Sequence, residues 1–199
     1  PTDQINYLRN AVKATVDAYD GTVTLYAWDE SDPILKAWMK AFPGTVKPKS
    51  AISEALLDHM RYPEDLFKVQ RFMLASYHVT DADDFYKKND QWDVAKDPNA
   101  SGFYQPPYRL SVATPSGGSQ PIFSLTSVYV PNKRQNLAAF VSVDADASLD
   151  TYGTMRVLRL SSSSTVNGPQ QIAAQIGADE KVKRLLLPFT TTNATSRPG

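Results

Sequence analysis

The sequence predicts an α+β fold, with an N-terminal hairpin and helices followed by an antiparallel sheet and a short final helix. Three observations carry this. Two runs of alternating polarity flank Asp20-Gly21. Between Asp32 and Tyr86, apolar residues recur at helical spacing. From Tyr108 onward the period shortens to two, and turn residues separate the runs.

The first run sets Val12, Ala14, Val16 and Ala18 against Lys13, Thr15 and Asp17; the second alternates through Val23, Leu25 and Ala27. Gly supplies the positive φ that a tight turn demands, so Asp-Gly between such runs predicts a hairpin. A helix over 4–18, using Tyr7, Ala11, Val12 and Thr15, is the rival reading. Asp32-Pro33 then opens a helix: Asp32 caps free N–H groups and Pro33 suits the first turn. Leu35, Trp38, Met39 and Phe42 form its apolar face, and Pro43-Gly44 stops it. A second helix fits 51–60, striped by Ile52, Leu56 and Met60. A third starts at Tyr62-Pro63-Glu64-Asp65, with Pro63 at its first position and two carboxylates facing the positive end of the dipole. Asp81 caps a short fourth helix through Tyr86.

The helical part is therefore 32–92. Residues 93–107, with three prolines and a glycine, read as a connector. The sheet part is 108–160: runs at 108–112, 121–130, 137–143 and 154–160, with Pro115–Gln120 as a turn. A final helix fits 168–177 after Gly168-Pro169. The domain is thus 1–182, and 183–199 is expected to be a disordered or non-native tail.

Composition removes several function classes. The 199 residues hold 21 Lys+Arg and 21 Asp+Glu, so no basic excess invites nucleic acid. The absence of Cys removes disulfides, thiolate metal sites and cysteine nucleophiles. The longest mainly apolar run, Leu137–Val143, is far shorter than the roughly 20 residues of a membrane helix. The chain starts at Pro1 instead of Met, so it is expected to be a slice of a larger polypeptide.

Few residue groups suggest chemistry. His59, Arg61 and Tyr62 are the candidate binding residues. No catalytic residue is assigned; Glu64, Asp65 and Asp29 come nearest, with Glu30 and Asp32 beside the last. The bland readings compete well. Both histidines, His59 and His78, fall at predicted helix ends, where the dipole favours an imidazolium. Glu64 and Asp65 are ordinary first-turn carboxylates. Asp144, Asp146 and Asp150 resemble a loose acidic calcium loop but lack the glycine and terminal glutamate of an EF-hand. Phe103, Tyr104 and Tyr108 around Pro106-Pro107 suggest either an aromatic ligand surface or a connector pinned by its rings. No nucleophile elbow, phosphate loop or dinucleotide fingerprint is present. No metal and no cofactor are expected.

Several runs resemble uncharacterised protein family 0182. They are Ile5–Gly21, Asp32-Pro33, Trp38, Phe42-Pro43, His59–Phe67, Gln70, Tyr77-His78, Phe85-Tyr86, Trp92, Tyr152-Gly153 and Gly168-Pro169. The resemblance spans roughly 4–182 and fades after Val182. It implies large, mostly actinobacterial, integral-membrane proteins in which this stretch is the first part of an extracytoplasmic region. The membrane is then reached through helices outside this segment. It brings no established activity and no agreed catalytic residues that could be carried over. On this basis the expected role is a non-catalytic binding or structural module of the cell envelope, contacting an envelope component or a protein partner. The alternative is a fragment of an envelope hydrolase or transferase using clustered carboxylates. A third expectation is an accessory that passes substrate to the membrane helices.

Overall fold

The computed structural model describes residues 8–113, 120–161, 163 and 165–190. Strand β1 (Val12–Val16) pairs antiparallel with β2 (Val23–Ala27), with Val12 opposite Ala27. Gly21 takes φ 76° in the turn, and Asp17 N donates to Thr22 O at 2.9 Å. The hairpin therefore prevails over a helix for 12–16. Strand β3 (Val46–Lys47) adds to β2 in parallel and completes a three-stranded sheet.

Helix α1 (Pro33–Ala41) links β2 to β3, and Asp32 Oδ1 accepts from Leu35 N at 2.8 Å. The helix expected over 51–60 is shorter and broken. A 3-10 turn covers Lys49–Ala51, and α2 is only Glu54–Leu57. Ile52 is extended, and Ser53 starts the chain afresh as an N-cap accepting from Leu56 N. A serine that bonds the backbone in this way favours a helix start over a helix interior.

Helix α3 (Glu64–Tyr77) carries Glu64 and Asp65 in its first turn, as the sequence predicts. Pro63 lies one residue earlier than expected, as the extended N-cap. Helix α4 (Ala82–Lys87) is capped by Asp81, which accepts from Asp83 N and Asp84 N.

The expected connector is partly sheet. Strand β4 (Trp92–Val94) pairs with the end of the next long strand, and an isolated bridge joins Lys96 to Tyr104. Trp92 and Val94 are buried while Asp93 is exposed. That alternation spans three residues, too few to stand out beside the prolines that follow. Strands β5 (Tyr108–Val112), β6 (Ile122–Pro131), β7 (Ala139–Asp144) and β8 (Met155–Arg159) complete a five-stranded antiparallel sheet. β4 and β5 share one side of β6, and β7 and β8 follow on the other. Most of the Pro115–Gln120 turn lies outside the described residues.

The core sits where α3 crosses this sheet. Phe67 of α3 packs with Trp92, Leu125, Tyr129, Val141 and Val143. Tyr129 is fully buried, and its hydroxyl donates to Arg71 O at 2.7 Å. Helix α5 (Pro169–Ala178) follows Gly168, where a Cβ would stand 1.9 Å from Gln135 O. Only glycine allows this helix to start against the β6–β7 turn.

Helix α6 (Glu180–Thr190) occupies the start of the expected tail. Asp179 accepts from Lys181 N and Val182 N, and Lys183 pairs with Glu180. Val182, Leu185, Leu186 and Phe189 recur at i, i+3, i+4 and i+7, a helical period concealed by Pro188 and the basic flank. The tail beyond Thr190 lies outside the described residues.

Candidate functional site

The short α2–α3 junction brings two of the sequence candidates, Arg61 and Tyr62, to one seam of the molecule. Arg61 forms an isolated bridge with Asp146 of the β7–β8 loop, and Tyr62 N donates to Ala145 O at 3.0 Å. The Arg61 guanidinium lies over the Phe123 ring at 5.2 Å and pairs with Asp146 at 3.7 Å. Tyr62 donates its hydroxyl to Gln70 Oε1 at 2.8 Å. Burial pushes its phenol above the ordinary value, against the pull of that hydrogen bond.

The neighbours of Tyr62 carry no functional role assigned from sequence. Tyr152 packs against it at 5.5 Å between centroids, and Trp28 meets Tyr152 edge-on at 5.4 Å. Lys13 and Lys49 stand over the Trp28 ring at 5.1 and 4.4 Å. Lys13 also donates to Arg61 O at 3.2 Å, so the first hairpin closes onto the seam. Burial lowers the Lys13 ammonium below its ordinary value. Gly153 takes φ 81°, and a Cβ there would touch Tyr62 at 3.4 Å. The paired appearance of Tyr152-Gly153 was the available signal, since a positive-φ glycine beside an aromatic marks a close approach.

The remaining candidates do not join this group. His59 is exposed, and its Nδ1 lies 2.7 Å from Ala55 O. Glu64 accepts from Lys68 at 2.9 Å and from Arg109 of β5 at 2.5 Å, which ties the start of α3 to the sheet. Asp65 is exposed and pairs with Lys68. Those two carboxylates raise the Lys68 ammonium above its ordinary value, the Glu64 bond most strongly. Asp29 accepts from Ser31 and Arg9 near the end of β2, which holds its carboxyl below the usual range. Asp32 is buried and divides its oxygens between the α1 cap and Arg9.

The acidic loop separates in space. Asp144 is fully buried and pairs with Arg156, Asp146 turns to Ser148 and Arg61, and Asp150 is exposed. Among the described residues, no three His, Asp or Glu side chains gather as a metal site would need. Asp144 Oδ2, Thr151 Oγ1 and the Tyr152 hydroxyl are sealed without a partner. Burial, and then the neighbouring Tyr62, push the Tyr152 phenol well above its ordinary value. The aromatic stretch of the connector is a surface: Phe103, Tyr104 and Tyr108 are all exposed, while Gln105 between them is buried.

The family model for the uncharacterised protein family UPF0182 matches residues 1–188. The chain belongs to the UPF0182 family. It is 59% identical to a UPF0182 protein of Nocardioides sp., over 98% of this chain and 19% of that protein. UPF0182 proteins of Thermobifida fusca and Streptomyces coelicolor are each 52% identical, over 98% and 90% of this chain. The chain spans about a fifth of the curated relatives it matches, covering 19% and 18% of these two. No solved structure matches it. The match reaches to residue 188, into α6, beyond the point where the resemblance read from sequence fades.

Proposed function

We propose that this UPF0182 segment is a non-catalytic binding or structural module on the extracytoplasmic side of a larger integral membrane protein. One observation carries the non-catalytic reading: each candidate carboxylate already has a structural task. Glu64 clamps α3 to β5, Asp65 pairs within its helix, and Asp29 holds the turn before α1. A general acid or base needs a carboxyl within reach of substrate, not one spent on neighbouring cations. Two further observations support the segment reading. The chain covers 19% of its Nocardioides relative. Among the described residues no helix is long and apolar enough to cross a membrane, so spanning helices would belong to other parts of such a protein.

The test uses the absence of native cysteine. Ser101→Cys, at an exposed position, places the first thiol in this segment. In the full-length protein on intact cells, a membrane-impermeant maleimide should modify it. Labelling that appears only after lysis would end the extracytoplasmic reading. Glu64→Gln and Asp65→Asn should retain cellular function with at most a modest loss of stability. Loss of function with unchanged stability would favour the hydrolase or transferase instead.

A further inference from the structure

Arg71 is a buried arginine of the α3 helix. It projects from α3 and is only 6% exposed. Its one hydrogen bond to a side chain runs from Nη1 to Ser127 Oγ at 2.9 Å. Among the described residues no carboxylate pairs with it, whereas Arg9, Arg61, Arg109 and Arg156 each have one. A guanidinium stays charged at any ordinary pH and offers five N–H groups in a planar fork. Burial lowers the Arg71 pKa, and Tyr129 and then Glu64 partly oppose that, yet Glu64 is bonded to Lys68 and Arg109. A buried charge hydrogen-bonded to a neutral hydroxyl and not paired with a carboxylate carries a desolvation penalty.

The unused N–H groups are not sealed. The described polar atoms that are buried without a partner are Asp144 Oδ2, Thr151 Oγ1 and the Tyr152 hydroxyl, and none belongs to Arg71. Arg71 lines a cavity of about 250 Å³ between α3 and β4. Phe72, Ala75, Trp92 and Tyr104 supply apolar walls, and Lys68 stands at the same cavity with its charge already met by Glu64 and Asp65. The site thus offers a guanidinium with unused donors and an apolar surround, with the exposed Asp93 carboxylate also in its lining.

We propose that this cavity binds a small monocarboxylate, with the Arg71 fork taking the carboxylate and the Phe72–Trp92–Tyr104 walls taking an apolar body. Arg71 has donors left over and, among the described residues, no carboxylate paired with it, and a carboxylate can accept two parallel N–H bonds from a guanidinium. The proposal deepens the binding-module reading and rests on it. The Arg71 site is separate from the Tyr62–Tyr152 seam and uses none of the candidates there.

The test titrates the 199-residue chain with benzoate, acetate, inorganic phosphate and uncharged benzyl alcohol, following Trp92 and the Arg71 side-chain N–H by NMR. Benzoate should bind saturably with a Kd of about 1 mM or below, the range a single charge-assisted site sustains. Acetate should bind more weakly, and benzyl alcohol at least about tenfold more weakly than benzoate. Arg71→Met should abolish benzoate binding and raise the melting temperature of the ligand-free chain, because it removes a buried charge without a carboxylate partner. Phe72→Ala, at a half-exposed helix position, should fold normally and weaken benzoate several-fold. The proposal is overturned if benzoate does not saturate. It is equally overturned if phosphate binds in preference, or if Arg71→Met is destabilised while binding persists. These outcomes are independent of the thiol labelling. Failure of the labelling ends the envelope reading and leaves the pocket standing, and failure of benzoate binding does the reverse.

Discussion

The two sheets of this chain handle their apolar residues differently. In the five-stranded sheet, β6 and β7 bury Leu125, Tyr129, Val141 and Val143 against Phe67 of α3. In the three-stranded sheet, β1 turns Val12 and Val16 outward at 36% and 67% exposure, and α1 leaves Ile34, Trp38 and Phe42 at least half exposed. Lys13 and Thr15 lie on the more covered face of β1. The Lys13 ammonium crosses the seam to donate to Arg61 O and also stands over Trp28. Both sheets alternate in sequence, yet only in the larger one does a helix close onto the apolar face. Alternation identifies a strand; burial depends on what the rest of the chain lays upon it. The outcome is an apolar groove of about 560 Å³ between α1 and the small sheet, with Leu8, Val12, Trp38 and Phe42 in its walls.

The largest effect belongs to the closed region. Phe67 has no exposed surface, so Phe67→Ala removes a ring from the centre of the core. Urea unfolding should show a loss of about 3–5 kcal/mol, the range for a large-to-small change at a well-packed site. A loss below about 1 kcal/mol would mean that the α3 contact does not hold the sheet.

The open region predicts a smaller effect with a different origin. Asp32 is buried, accepts from Leu35 N, and pairs with Arg9 Nε at 3.1 Å. Asp32→Ala should cost about 1–2 kcal/mol, mostly from the lost cap. The comparison predicts more than the number. Amide exchange should quicken across α1 and β2 while β6 and β7 remain protected, because local stability follows local packing. Equal acceleration in both sheets would show that they unfold as one unit.

The legible parts of the fold are those with local causes. The Asp20-Gly21 hairpin, the Asp32-Pro33 start, the Asp81 cap and the alternating strands all follow from residues within a few positions of one another. The errors occur where the cause is distant or the signal brief. β4 is three residues long and exists because β6 extends to meet it. Ser53 ends one turn and begins another, so a single apolar stripe over 51–60 became two short pieces. Helix α6 keeps a helical period that composition alone disguised. For the site, Arg61 and Tyr62 do converge with a loop more than eighty residues away, as Arg61–Asp146 shows. His59, Glu64, Asp65 and Asp29 do not, since helix starts and turns already claim them. Arginine on an amphipathic helix looks solvent-facing in sequence; only the third dimension reveals that Arg71 is buried and reaches Ser127 of β6.

The smallest predicted effect lies on the seam where the two regions meet. Asp146 is partly buried, which alone would raise its pKa, but hydrogen bonds from Ser148 and the nearby Arg61 outweigh that and depress it. A depressed folded-state pKa means that the unfolded chain binds the proton more readily. The stabilisation is therefore present above the unfolded value of 3.8 and is lost as pH falls through the lower folded value. Acid should loosen the Arg61–Asp146 bridge and speed exchange at Tyr62 N, which donates to Ala145 O. Asp146→Asn removes this titration, so the acid-induced acceleration at Tyr62 should flatten while the β6–β7 amides behave as before. If Tyr62 exchange in Asp146→Asn still rises with acid as in the parent chain, the seam is held by the Tyr62–Tyr152–Trp28 rings and not by the ion pair. The two sheets would then be joined by ring packing and the Lys13–Arg61 hydrogen bond, and their difference in burial would end at the seam instead of running through it.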